Sequence, residues 1–221
     1  MCLLSFADCQ SDDTQTLHQL QRFTNATYAP PCLQPPYNHL SLARVELTTL
    51  TELTFDRCIW RRCAGEALGP ALGCLTLLQR LTIRAQLGSE GAIVLAPFIG
   101  RLHNLRVLCL PSTGMCICPG RSCARGVAVL SRHITNLSHL QELDLKSAYV
   151  SEGIGPLSIV LGSFIGLTLL DIGDGFISDI GARALASGHL SGLTRLQTLG
   201  LRSNALGPMG FRCWCRRLPT R

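Results

Sequence analysis

One six-position pattern, L-x-x-L-x-L with Leu, Ile or Phe at its apolar positions, recurs six times in this 221-residue chain. Successive copies start 28, 27, 35, 27 and 29 residues apart, so four of the five steps agree within two residues. A regular period of this length is the sequence signature of an architecture in which each unit stacks on the next. The copies are LTELTF, LQRLTI, LRVLCL, LQELDL, LTLLDI and LQTLGL, starting at Leu50, Leu78, Leu105, Leu140, Leu167 and Leu196.

The residues after the pattern also repeat. The segments GAIVLAPFI, residues 91–99, and GARALASGHL, residues 181–190, have apolar residues at helical spacing. Three positions after the third apolar residue, the first unit has Cys58 and the last has Asn204. The second unit is one residue short at this point, and three other units depart from Cys or Asn, with Thr113, Ala148 and Gly175. Each unit is therefore expected to contain a strand, a turn and a helix.

These residues resemble the leucine-rich repeat family, in its ribonuclease-inhibitor-like class of roughly 27 to 29 residues per unit. The resemblance implies an α/β fold, a leucine-rich repeat solenoid of about six repeats shaped as a curved right-handed horseshoe arc. A parallel sheet would line the concave face and helices the convex face. Independently, one strand–helix unit cannot cover its own apolar face, whereas stacked units bury a continuous leucine core.

The pattern predicts a repeat domain over residues 47–210. Four prolines among residues 21–40 exclude a long helix or a central strand there, so residues 1–46 are predicted to be an irregular leader or an imperfect N-terminal cap. The 35-residue step predicts an inserted loop at Met115–Gly126. The last unit is expected to have no helix, and residues 211–221 are predicted to be a basic tail. An uncovered solenoid end suggests a fragment or a truncated paralogue.

Composition and charge exclude several classes of protein. No window holds 18 uninterrupted apolar residues, and the start MCLLSFADCQSDD has no basic region of the kind that begins a secretory signal. We therefore expect a cytoplasmic protein with no membrane partner, with its 12 cysteines mostly reduced and two chance glycosylation sequons. The net charge is +6, and nucleic-acid binding is not expected because no aromatic stacking platform accompanies the basic residues.

Nothing in the sequence resembles an assembled catalytic site. The motifs GxSxG, HExxH and GxxxxGK[ST] are absent, so we expect no enzyme activity, no cofactor and no metal. One cysteine group leaves three interpretations open: a zinc site, a disulfide or redox loop, or plain reduced thiols. Its spacing, C-x6-C-x-C-x4-C, differs from paired zinc ligands two to four residues apart and favours thiols. The group is Cys109, Cys116, Cys118 and Cys123.

The concave face is the predicted binding surface. Strand alternation sends the pattern's leucines inward and the intervening positions to the opposite face. Arg80 and Arg84 are expected to form cross-strand ion pairs with Glu52 and Asp56. A small apolar centre is expected at Val107, Cys109 and Pro111, beside an acidic patch. The predicted protein-binding residues are Arg80, Arg84, Val107, Cys109, Glu142, Asp144, Lys146, Asp171 and Arg202.

Two of these residues, Asp144 and Asp171, occupy the same position in adjacent units. Like charges directly opposite each other on neighbouring strands are unfavourable. Two interpretations remain open: nearby Lys146 offsets the repulsion, or the pair, together with Glu142, binds a basic group of a partner.

The sequence therefore predicts a non-enzymatic protein–protein interaction scaffold with a protein partner of unknown identity. One alternative is a regulator of a small GTPase resembling the Ran GTPase-activating proteins, although no arginine here can be matched to that family's motif. A second alternative is the sensor or substrate-receptor part of a larger protein.

Overall fold

Seven short parallel strands form one sheet in the part of the chain that the computed structural model describes, residues 2–7, 49–59, 62–86, 88–111, 124–187 and 189–215. The strands lie in the sheet in the same order as in the sequence, and every neighbouring pair is parallel. They are β1 (Cys2–Ala7), β2 (Leu50–Ile59), β3 (Arg80–Gln86), β4 (Val107–Cys109), β5 (Glu142–Asp144), β6 (Leu169–Asp171) and β7 (Thr198–Gly200).

The leucines of the repeated pattern form the core. At the middle apolar position the side chains are almost wholly buried from β2 to β6. The other apolar positions in these units are equally buried, so each unit adds a layer to one continuous core. Burying one such side chain contributes roughly 1.5–3 kcal/mol relative to leaving it exposed. The middle residues are Leu53, Leu81, Leu108, Leu143 and Leu170.

A helix follows each strand from β2 onwards and covers the inner side of the sheet. The helices are α1 (Arg62–Gly73), α2 (Gly88–Ile99), α3 (Ala124–Ile134), α4 (Ile154–Leu161), α5 (Asp179–Ser187) and α6 (Pro208–Cys215). Both predicted helices exist, and α2 buries the apolar residues whose spacing predicted it. The second, α5, ends at Ser187, and a 3₁₀ turn at His189–Gly192 takes up the rest of the predicted segment.

A tight turn after the strand is shared by three consecutive units. Ser147, Asp174 and Ser203 stand two residues after the third apolar residue and have φ of 59°, 52° and 53°. Asn204 of the last unit stabilises the turn of the preceding unit. Its Oδ1 accepts hydrogen bonds from the backbone N–H groups of Gly175 and Ile177, each at 3.0 Å. Its side-chain amide donates to the carbonyls of Ile172 and Leu201, so three of the four bonds reach the preceding unit and the fourth stays within the last unit.

Cys58, at the equivalent position of the first unit, lies in a strand rather than in a turn. It lies within β2, where it pairs with Ala85 of β3 after an irregularity in the register. Strands β2 and β3 continue past the point where later strands turn, and the residue that the second unit lacks corresponds to the irregularity in their register.

Both ends of the repeat region have structure that the leader and tail predictions did not include. Residues Cys2–Ala7, within the predicted leader, form β1 and extend the sheet beside β2. Residues 8–48 lie outside the described residues, so the domain boundary at 46/47 stays a prediction. The predicted loop at Met115–Gly126 falls mainly on the undescribed residues 112–123, and its last three residues belong to α3.

The expectation that the last unit has no helix was wrong, because α6 spans Pro208–Cys215. Proline favours the first helical position, where its fixed φ suits the helix and its missing N–H needs no partner. The carboxylate of Asp179, at the start of α5, accepts hydrogen bonds from the N–H groups of Gly207 at 2.7 Å and Gly210 at 3.0 Å. These bonds satisfy donors at the beginning of α6 that have no partner within the helix.

The alternation of strand and helix and the strictly sequential parallel sheet make the chain an α/β leucine-rich repeat solenoid. The sheet has one side against the core and one side that faces away from it. We call the second side the strand face.

Candidate functional site

Two rows of residues cross the strand face, and the strand register fixes their order. The first row is Glu52, Arg80, Val107, Glu142, Leu169 and Thr198. The second row is Thr54, Thr82, Cys109, Asp144, Asp171 and Gly200. Both rows follow the order that the sequence repeat implies, because aligned repeats in a parallel solenoid become aligned strands.

Asp144 and Asp171 are direct partners on β5 and β6. Each carboxylate also accepts a hydrogen bond from a backbone N–H two residues on, at 2.9 Å from Lys146 and 2.8 Å from Gly173. These local bonds hold the two side chains at the ends of their strands. Two carboxylates therefore stand side by side on the strand face.

The electrostatic setting of Asp144 is unfavourable to its charge. Burial raises the pKa of its carboxyl above the ordinary range, and the neighbouring charge of Asp171 raises it further. The hydrogen bond from the Lys146 backbone and the charges of Lys146 and Arg84 act in the opposite direction. Because the net shift of the Asp144 pKa is upward, the charges of Lys146 and Arg84 do not cancel the cost of ionising this carboxyl.

Arg80 bridges two acidic residues of the first row. Its Nε lies 3.9 Å from Glu52 Oε2, which confirms the predicted cross-strand pair, and its Nη1 lies 3.9 Å from Glu142 Oε2. Glu142 is two strands away on β5, so the arginine side chain spans the position of Val107. Val107 is only 4% exposed, whereas the other two residues of the predicted apolar centre, Cys109 and Pro111, are partly exposed.

Arg84 is exposed and is the register partner of Asp56. Arg202 is also exposed and lies near the turn that follows β7. Its Nε is 3.8 Å from Asp174 Oδ2, so it forms an ion pair with the turn residue. The structure thus brings Arg80, Glu142, Asp144 and Asp171 together and places Arg202 at the edge of this group.

Cys109 lies between Thr82 and Asp144 in the second row. Burial raises the pKa of its thiol to about 11, and the charges of Asp144 and Glu142 act in the same direction. A hydrogen bond with Thr82 and the charge of Arg80 oppose this shift. At neutral pH Cys109 is therefore a protonated thiol, whereas nucleophilic catalysis and metal binding use the thiolate.

Gly200 completes the second row and makes room for the acidic pair. A Cβ at this position would collide with the carboxylate of Asp171. The side chain of Asp171 consequently occupies the space over β7 that a larger residue would fill. The need for glycine at position 200 can be inferred from the register once Asp171 is known to face outward. The repeat pattern alone does not reveal it.

Within the described ranges, no group of three or more His, Cys, Asp or Glu residues could hold a metal ion. The other three members of the predicted cysteine group, Cys116, Cys118 and Cys123, lie outside the described residues. No helix in the described part of the chain is both long enough and apolar enough to cross a bilayer.

Comparisons with known proteins add no argument about the fold or the function. No protein-family model matches the sequence, and no curated protein matches it. Among solved structures, an internalin from Listeria monocytogenes is similar at 16% sequence identity, over 79% of this chain and 67% of that chain, with a TM-score of 0.25. A likeness this weak carries no argument about function, so the description of the fold rests on strand order, register and burial.

Proposed function

We propose that the protein is a non-enzymatic interaction scaffold whose strand face binds a basic segment of a protein partner. The observation that carries the proposal is the direct pairing of Asp144 with Asp171 on adjacent strands. A basic side chain placed between the two carboxylates would remove their mutual repulsion and form charge-assisted hydrogen bonds. The 27- to 29-residue steps support assignment to the ribonuclease-inhibitor-like class, and a cytoplasmic location remains part of the proposal.

Glu142 and Arg80 belong to the same surface in this proposal. Their ion pair is 3.9 Å long and both side chains are partly exposed, so it contributes little to stability. A partner cation can therefore compete for Glu142 at small cost. The surface then offers three carboxylates to a basic segment.

The raised pKa of the Cys109 thiol does not favour nucleophilic catalysis by this residue. Regulation of a small GTPase and membership of a larger sensor or substrate receptor remain alternatives that no observation favours.

The test is site-specific photo-crosslinking from Thr198, the β7 residue of the first row, next to the row that contains Asp144 and Asp171. The protein is compared with an Asp144→Asn/Asp171→Asn double variant, because asparagine keeps the oxygen that accepts the Lys146 and Gly173 hydrogen bonds. We expect crosslinks to a partner peptide rich in arginine or lysine, weakened by salt and lost in the double variant. Glu90→Gln, an exposed position on α2, is the matched control and should retain the crosslink.

Equal crosslinking of the same partner by the double variant would refute the acidic patch as the binding determinant. Crosslinks to segments without basic residues would refute the proposed chemistry of the partner.

A further inference from the structure

Two neighbouring helices, α5 and α6, each expose one apolar side chain and one arginine at equivalent positions of the helix. Ile180 is 72% exposed and Met209 is 64% exposed, each at the second position of its helix. Three residues further on, Arg183 and Arg212 are exposed as well. Residues three apart lie on one face of a helix, so each helix presents an apolar side chain beside a cation.

The two pairs lie next to each other because the beginnings of α5 and α6 are fastened together. Asp179 at the start of α5 accepts hydrogen bonds from the N–H groups of Gly207 and Gly210. A Cβ on Gly210 would lie 3.2 Å from Cβ of Ala182, so the helices approach closely here. Ile180 and Met209 are 29 residues apart, the step between these two repeats, and therefore occupy equivalent positions.

Phe176 is a third exposed apolar residue, in the turn that precedes α5. It precedes Ile180 by four residues and is 58% exposed. Its ring stacks on Tyr149 of the preceding unit, with centroids 4.7 Å apart and an interplanar angle of 7°. Both aromatic residues have positive φ, 56° and 51°, a conformation that bulky residues rarely adopt. The turns thus hold a large aromatic side chain in solvent despite an unfavourable backbone.

The charge near these apolar groups is positive. No ion pair among the described residues involves Arg183 or Arg212. One carboxylate, that of Asp179, also lies at the two helix starts and is held by two backbone N–H groups, so two arginines stand against one acidic group. A partner that matches this surface combines apolar and acidic side chains.

We propose that this surface binds an acidic amphipathic segment of another protein. We call it the helix-start patch and define it by Phe176, Ile180, Met209, Arg183 and Arg212. A helix with leucines and glutamates one turn apart places its apolar residues over Ile180 and Met209 and its carboxylates over the two arginines. The helix-start patch is separate from the strand face and opposite to it in charge, so it does not depend on the function proposed above.

The experiment uses the full chain and two fluorescent synthetic peptides that form amphipathic helices. One peptide carries leucine and glutamate one turn apart, and the other has lysine in place of every glutamate. We expect anisotropy to show salt-sensitive binding of the glutamate peptide alone. An Arg183→Glu/Arg212→Glu double variant and an Ile180→Ser/Met209→Ser double variant should each weaken binding by about tenfold or more.

The chain offers matched controls on neighbouring helices. Arg132 on α3 is exposed and Ile159 on α4 is 69% exposed. Arg132→Glu and Ile159→Ser should leave binding of the glutamate peptide unchanged, and so should the Asp144→Asn/Asp171→Asn variant. Retained binding in that last variant separates this surface from the strand face.

Four results would overturn the proposal: no binding of the glutamate peptide, equal binding of the lysine peptide, equal affinity in the patch variants, or loss of affinity in the control variants. Tighter binding to vesicles of equimolar phosphatidylcholine and phosphatidylserine, abolished by the patch variants, would instead identify an anionic membrane as the partner. Self-association that the patch variants abolish would identify a second copy of the chain.

Discussion

Asp144 shows how burial and a neighbouring charge act on a single residue of the strand face. Its raised pKa means that the folded protein holds this proton more tightly than the unfolded chain does. Where the folded state binds more protons, stability falls as pH rises. The contribution of Asp144 is thus most favourable below the ordinary aspartate pKa and is lost as pH rises through the raised value.

We therefore predict that Asp144→Asn increases the free energy of unfolding at neutral pH. The gain should be about 0.2–1 kcal/mol, the size of an unfavourable cross-strand pair, and towards the lower end because the side chain is partly exposed. Urea unfolding measured from pH 4 to pH 7 should show the gain at pH 7 and its decline towards pH 4. Asp174→Asn is the control, since it removes a favourable partner of Arg202 and should not stabilise. A loss of stability on Asp144→Asn would contradict this account.

The sequence predicts the neighbours on the strand face better than it predicts their exposure. Aligned repeats give the pairing of Asp144 with Asp171 and of Glu52 with Arg80, because the register of a parallel solenoid follows the repeat period. They do not reveal that Arg80 also reaches Glu142 across Val107. That contact depends on the conformation of a long side chain, which no register determines.

At the scale of the element, strands were more predictable than the residues that join one helix to the next. Each strand from β2 to β7 carries the repeated apolar alternation, and α2 and α5 show helical spacing within a single unit, whereas β1 lies outside the repeated pattern and was not predicted. Asp179 acts between units: its partners, the N–H groups of Gly207 and Gly210, lie 28 and 31 residues away. No pattern within one repeat indicates such a contact, and α6 was missed for this reason.

We predict that Asp179→Ala lowers the free energy of unfolding by about 1.5–3 kcal/mol, because two backbone donors lose a charged acceptor. Asp179→Asn keeps an oxygen at the same position and should cost less than half as much. Chemical denaturation gives both values, and hydrogen exchange should locate the loss at residues 207–215. Equal costs for alanine and asparagine would show that the hydrogen-bond acceptor is not what stabilises the start of α6.

At the scale of the whole molecule, the solenoid is a stack in which each unit is covered by the next. The middle leucines Leu143 and Leu170 are fully buried, whereas Leu199 at the equivalent position of β7 is only partly buried. The same difference holds for Leu196 and Leu201, which pack against the core without being enclosed by it. Stability in such a stack is the sum of the units and of the interfaces between neighbours, so the β7 unit has less stabilising contact than units inside the stack.

This gradient of burial along the stack gives a prediction that compares a leucine-to-alanine substitution at two equivalent positions, Leu170 and Leu199. Leu170→Ala should cost about 2–5 kcal/mol, because it leaves a cavity in an enclosed core. Leu199→Ala should cost less than half of that, since part of its side chain already contacts solvent. Urea unfolding of both variants at two protein concentrations tests the difference. If Leu199→Ala is as costly as Leu170→Ala at both concentrations, Leu199 is enclosed within the same molecule and the gradient does not exist. If the two costs become equal only at the higher concentration, a second copy covers β7, and the stack is completed by association rather than by the units described here.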